Sequence, residues 1–260
     1  MRRIFLLFAI TAALCSRITS AQDSVTIRSD PRDLSRPIST LLRQLRDREK
    51  ISVTYEDPRY SNSSDVEDVT SAVAKNLSPA EEKLRPRILV PRGKAITFVY
   101  SPRDLRTPDG VEVTITRMLR EYKALGGATF ALVRDGLRFH VVPAEVLNSA
   151  GESVHQGSIL DTVVSVPEAR ANAAQLLDDI CTQVGRQTGY RMDIGPGAIN
   201  MHDAVREQGI GEQSVRAAFE QIWDSVTAPG SFVWNLYYDP SDKSYGLNFS
   251  YVGYAGPVPK

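Results

Sequence analysis

Apolar and polar positions follow two periods along this chain, and the order in which those periods alternate occurs twice. Val25-Thr26-Ile27-Arg28 alternates as a short strand. Ile38, Leu41, Leu42 and Leu45 then fall at i, i+3, i+4 and i+7, the stripe of an amphipathic helix. Pro37 suits the first turn of that helix, where a missing N–H is no loss. Arg43, Arg46 and Arg48 lie mostly off the stripe and read as a solvated face. Ile51, Val53 and Tyr55 alternate with Ser52, Thr54 and Glu56, the period of a half-buried strand, and Asp57-Pro58 ends it.

Val66 to Val73 reads as a third, weaker strand. The polar run from Lys75 to Arg87 and the short strands Ile88–Val90 and Ile96–Tyr100 read as an insertion, about residues 62–102. Val111, Ile115, Met118, Leu119 and Tyr122 predict a second helix, closed by Gly126-Gly127. Phe130 to Val142 predicts a hairpin about Asp135-Gly136, with Leu132 opposite Phe139 and with Val133, Arg138 and His140 on the polar side.

Residues 144–158 read as a polar linker, after which the order restarts. Thr162–Val166 predicts a strand, Pro167 the opening of a helix striped from Ala173 to Val184, Gly189 its cap, and Tyr190–Ile194 a strand. Gly195-Pro196-Gly197 and Gly209-Ile210-Gly211 read as tight loops. Ser214 suits the N-cap of a helix burying Val215, Ala218, Phe219, Ile222 and Trp223. A last hairpin runs from Phe232 to Val252 about Asp239-Pro240-Ser241, and residues 253–260 read as a frayed tail.

The fold class this predicts is α+β: two tandem β-α-β-β-α-β-β modules at 22–143 and 159–252, with helices packed on small mixed sheets. That order resembles the secretin and TonB short N-terminal domain. The resemblance rests on Leu41-Leu42-Arg43-Gln44-Leu45 followed by Ile51-Ser52-Val53-Thr54-Tyr55-Glu56-Asp57-Pro58. It rests also on Leu177 to Gly189 followed by Tyr190-Arg191-Met192-Asp193-Ile194, and on the ending Phe139-His140-Val141-Val142-Pro143. Thr188-Gly189-Tyr190 is similar to that family's helix-to-strand passage. The resemblance implies a periplasmic scaffold that contacts other proteins, and no catalytic residue comes with it.

Residues 1–21 carry the pattern of a secretory signal: Arg2-Arg3, the apolar run Ile4–Leu14, and Thr19-Ser20-Ala21 before the cleavage point. This run of eleven residues, apolar except for Thr11, falls short of the roughly 20 needed to span a bilayer. Without that leader the balance is 28 basic to 31 acidic residues. A slightly acidic chain lacks the footprint of a nucleic-acid binder, and no later run is long enough for a transmembrane helix. The expected compartment is the periplasm or the exterior. Cys181, the only cysteine after the leader, sits on a helix stripe and reads as a buried thiol.

His140, His155 and His202 show no metal-ligand spacing, and no nucleophile elbow or phosphate loop occurs. Glu56-Asp57 and Asp178-Asp179 are candidate carboxylate pairs, both read as solvated charge. No catalytic residue, cofactor or metal site is therefore expected. The leading reading is a non-enzymatic envelope interaction module using sheet edges, with Val25–Arg28 or Ile96–Tyr100 as the candidate edge. The alternative is a cell-wall glycan-binding module whose surface includes Trp234, Tyr237 and Tyr254, and a further alternative is a hydrolase with an unrecognised site.

Overall fold

Each apolar stripe in the sequence is buried against a sheet. The computed structural model describes residues 24–29, 35–73, 87–195, 205–226 and 232–252; the expected leader at 1–21, His202, Tyr254 and the expected tail at 253–260 lie outside these. In chain order the elements are β1 (Val25–Arg28), α1 (Pro37–Glu49), β2 (Val53–Glu56), β3 (Val66–Asp68), the one-turn α2 (Thr70–Val73), β4 (Leu89–Pro91) and β5 (Thr97–Tyr100). Then follow α3 (Pro108–Ala124), β6 (Thr129–Asp135), β7 (Arg138–Leu147), β8 (Ser153–His155) and β9 (Val163–Ala171). The last are α4 (Ala173–Thr188), β10 (Arg191–Ile194), β11 (Arg206–Ser214), α5 (Val215–Val226), β12 (Phe232–Asp239) and β13 (Ser244–Tyr251). The fold is α+β.

Both halves use one topology. In the first, β2 lies parallel to β7, which forms an antiparallel hairpin with β6. In the second, β10 lies parallel to β13, which forms an antiparallel hairpin with β12. Val53 and Tyr55 oppose Phe139 and Val141, as Met192 and Ile194 oppose Tyr245 and Leu247. The preceding helices end alike, at Lys50 (φ +56) and Gly189 (φ +77), both left-handed. A separate two-stranded ladder accompanies each half, β1 with β5 and β9 with β11. Matching these elements makes Met192 the counterpart of Val53, and Gly185 that of Arg46.

The halves share one sheet, ordered β6-β7-β2-β12-β13-β10, with β8 added to β7. Among the described residues, the strands of the two halves pair only where β2 runs parallel to β12, Tyr55 opposite Asn235 and Glu56 opposite Leu236. Side chains alternate across a strand. Val53, Tyr55, Phe139 and Val141 thus enter one core beneath α1 and α3, and Tyr237 packs against it. Trp234, Leu236, Tyr238, Tyr245 and Leu247 enter a second core beneath α4 and α5, on the opposite face. The second half repeats the first after a half-turn about the direction in which strands are stacked.

Several sequence expectations change. The third strand of the first half is Thr97–Tyr100, paired with β1; Val66–Asp68 pairs instead with Leu89–Pro91, and Thr70–Val73 is helical. Part of the supposed insertion is therefore a repeated element. The hairpin turn is Gly136-Leu137, with Leu132 opposite Val141. That slip is by two residues, so every side chain keeps its face. The supposed linker extends β7 to Leu147 and returns as β8. Pro167 lies inside β9, where the ladder is interrupted opposite Gly209, so its missing N–H breaks no regular pair. Gly209, Ile210 and Gly211 accordingly belong to β11. Asn172 opens α4 instead, through a reciprocal capping box with Gln175. Ser214 does cap α5, accepting from the Ala217 N–H at 3.3 Å.

Candidate functional site

The two halves join where β2 pairs with β12. Two paired residues are few, and side chains prolong the ladder. The Asp57 N–H donates to the Leu236 carbonyl at 2.8 Å, and Asp57 Oδ2 accepts from the Tyr238 N–H at 3.0 Å. Arg36 binds both partners, donating from Nε to Asp57 Oδ2 at 2.6 Å and from Nη2 to the Tyr238 carbonyl at 2.9 Å. The Tyr55 hydroxyl donates to Asp57 Oδ1 at 2.7 Å. Asp57 is wholly buried: burial raises its carboxyl, against the opposing pull of Arg36 and these hydrogen bonds.

Helix α1 supplies the rest. Arg46 Nη1 donates to the Val53 carbonyl at 3.1 Å and to Asn235 Oδ1 at 2.9 Å. Burial lowers the guanidinium to about 10, so it remains cationic at neutral pH. Ser39 Oγ meets the Tyr237 hydroxyl at 2.7 Å, while the Arg36 guanidinium lies over the Tyr237 ring, 4.8 Å from its centre. Arg46 is thus not part of a solvated face. Its place one turn beyond Leu42, above β2, is covered by β12.

The other face of β2 and β7, polar in sequence, is covered by the second half. Thr54 Oγ1 meets His140 Nδ1 at 2.8 Å, and His140 Nε2 lies 3.0 Å from Glu220 Oε1. The His140 ring also stacks on Trp234, 5.8 Å between centres. Arg138 pairs with Glu220 at 3.1 Å and with Asp224. Burial alone would raise the Glu220 carboxyl, but His140 and Arg138 hold it below the ordinary carboxylate range.

Glu56 reaches the same interface. Its Oε1 accepts from the Ile159 N–H at 2.8 Å and its Oε2 from the Ser158 hydroxyl. Ser158 Oγ already accepts from Leu160 N–H at 3.1 Å and from Arg216 Nη2 at 3.0 Å, so its own proton goes to Glu56. Burial nevertheless pushes the Glu56 carboxyl up to about 7, opposed by these donors. Glu56 and Asp57 are therefore buried on opposite faces, which corrects their reading as solvated charge. Asp178 and Asp179 are exposed, as expected.

The aromatic surface expected on the last hairpin is corrected in part. Trp234 is 2% exposed, sealed between His140 and Phe219. Tyr237 is half-buried and pinned by Ser39 and Arg36. Tyr254 lies outside the described residues. Of the candidate edges Val25–Arg28 and Ile96–Tyr100, the strands Val25–Arg28 and Thr97–Tyr100 pair with one another in a two-stranded ladder, each keeping one outer edge among the described residues. Cys181 is buried, its thiol pushed up to about 12 by burial.

Among the described residues, nothing pairs with the free edge of the junction's counterpart, β10. In the second half an exposed groove of about 490 Å³ runs between α4 and β10, floored by Cys181, Gly185 and Met192. Asp178 and Gly185 stand there in the places of Ser39 and Arg46, the two α1 residues that hold β12. A Cβ on Gly185 would meet only the Tyr190 carbonyl, at 3.6 Å. Among the described residues β10 pairs with β13 alone. Arg191 stands on its rim, bonded to Asp193 at 2.8 Å and to Asp242 at 2.7 Å, charges of the kind that guard a sheet edge.

The residues that sequence reasoning missed are Arg36, Arg46, Asn235 and Glu220. No signal in the sequence marks them: β2 alternates as a half-buried strand would, yet its four residues are all buried although only two are apolar. Among the described residues, no three His, Cys, Asp or Glu side chains cluster as a metal site, and no helix is long and apolar enough to cross a membrane. Comparisons with family models, with curated proteins and with solved structures found no match to this chain.

Proposed function

We propose that this chain is a non-enzymatic interaction protein of the bacterial envelope, periplasmic or secreted, that accepts an extended strand from a partner protein along β10. One observation carries the reading: the corresponding edge of the first half, β2 beneath α1, is already occupied by a strand from a separately packed unit. Strand addition draws affinity from main-chain pairing and specificity from pockets for alternate side chains. The groove over Gly185 and Met192 is such a pocket, in the position that Asn235 and Tyr237 fill at the internal junction. The leader pattern in residues 1–21 and the resemblance of both halves to the secretin and TonB short N-terminal domain support the envelope assignment.

Gly185→Arg tests the reading. It restores the residue that stands at the matching position of α1 and fills the groove. The variant is expected to fold normally and to lose the envelope protein that the parent captures reproducibly. Undiminished capture of that protein by Gly185→Arg contradicts binding at β10.

A further inference from the structure

Beyond the end of β2 the chain passes through Arg59 into a cleft of about 470 Å³ between the two halves. Its walls carry Arg59, His155 and Lys243, and no acidic residue lines it among the described residues. Arg59 is half-buried and fixed from two sides. Its N–H donates to Gln156 Oε1 at 2.9 Å, and its guanidinium lies over the Tyr190 ring, 5.2 Å from the centre. Arg36, Arg138 and Arg216 at this interface each meet a carboxylate, and Arg46 is held by the Val53 carbonyl and Asn235 Oδ1. The Arg59 guanidinium meets no carboxylate among the described residues. Gln156 is 3% exposed, and its Nε2 also lacks a partner there. The nearby Asp242 is bound to Arg191 at 2.7 Å, and Asp239 accepts from the Ser241 N–H at 2.8 Å.

We infer that this cleft is an oxyanion site, taking a carboxylate or phosphate group on the Arg59 fork with Lys243 as a second positive charge. A planar guanidinium held on an aromatic face presents paired donors at low entropic cost, the geometry that carboxylate and phosphate oxygens match. Partly buried cations without a counterion are costly, and an anionic ligand supplies one. The site is distinct from the β10 groove and stands independently of the strand-binding proposal.

Titration of the ¹⁵N-labelled protein with inorganic phosphate and, separately, with N-acetylglutamate tests it, with sodium chloride holding ionic strength constant. Saturable shifts confined to the neighbourhood of Arg59, Gln156 and Lys243 are expected. Response to phosphate alone assigns a phosphoester ligand, response to N-acetylglutamate alone an acidic peptide or other carboxylate, and response to both a general oxyanion site. Arg59→Gln is expected to weaken binding by about tenfold or more, the loss of charge-assisted hydrogen bonds. Lys243→Gln, at an exposed position, is expected to weaken it less while leaving the fold intact. Absence of saturable shifts with both anions, or shifts unchanged by both substitutions, overturns the proposal.

Discussion

Arg46 on α1 donates from Nη1 to Oδ1 of Asn235 on β12, across 189 positions of sequence and across the junction of the two halves. Both residues are buried. The bond matters because a buried guanidinium left short of acceptors carries its desolvation cost uncompensated. Asn235→Ala is therefore expected to destabilise the protein by about 2 kcal/mol, more than an ordinary neutral hydrogen bond. Urea unfolding measures this as a lower midpoint with an unchanged slope.

Glu56 gives stability a distinctive dependence on pH. Its folded-state pKa, about 7, lies above the ordinary value, so the native state binds the proton more tightly than the unfolded chain. Its contribution is fully present below the unfolded value and is lost as pH rises towards 7. Between pH 4.5 and 8 it is expected to cost on the order of 3 kcal/mol. Glu56→Gln removes this titration, and the stability difference between variant and parent, from unfolding at each pH, should shift in the variant's favour by that amount. A difference independent of pH contradicts the assignment.

Glu220 has the opposite sign. Its carboxyl is held low, so its contribution is present above the unfolded carboxylate value and is lost as pH falls through the folded one. Glu220→Gln should cost about 2 kcal/mol at pH 7, where it forfeits the ion pair with Arg138 and weakens the contact with His140 Nε2. The penalty should shrink in acid, as shown by unfolding midpoints measured across the range.

The paired helix ends make a reciprocal test of the repeat. Gly189→Ala places a Cβ on a left-handed residue and should cost about 1 kcal/mol, while Lys50→Gly relieves the same strain at the matching position. Thermal unfolding should therefore move in opposite directions for the two substitutions.

Much of the fold was legible because burial by helices follows period. Ile38, Leu41, Leu42 and Leu45 marked one face of α1, and all four are buried. The hairpin of β6 and β7 kept its faces even though its register differed by two. What could not be read was the union of the halves. Thr54, Glu56 and His140 resemble a solvated face in sequence, because an interface closed by hydrogen bonds and ion pairs leaves no apolar period. Arg46 misled for the same reason: its cover comes from a strand nearly 200 residues away. Pro167 misled locally, since a proline before a striped segment suits a helix start, but it lies in the interrupted part of the β9 ladder.

The account turns on β10 being a free strand-accepting edge, and amide hydrogen exchange of Arg191–Ile194 measures that most directly. With the captured partner absent, outward-facing amides of β10 should exchange faster than the doubly paired amides of Val53–Glu56, and partner binding should slow them. Protection of β10 already equal to that of β2, or a partner that binds without slowing it, would contradict the account.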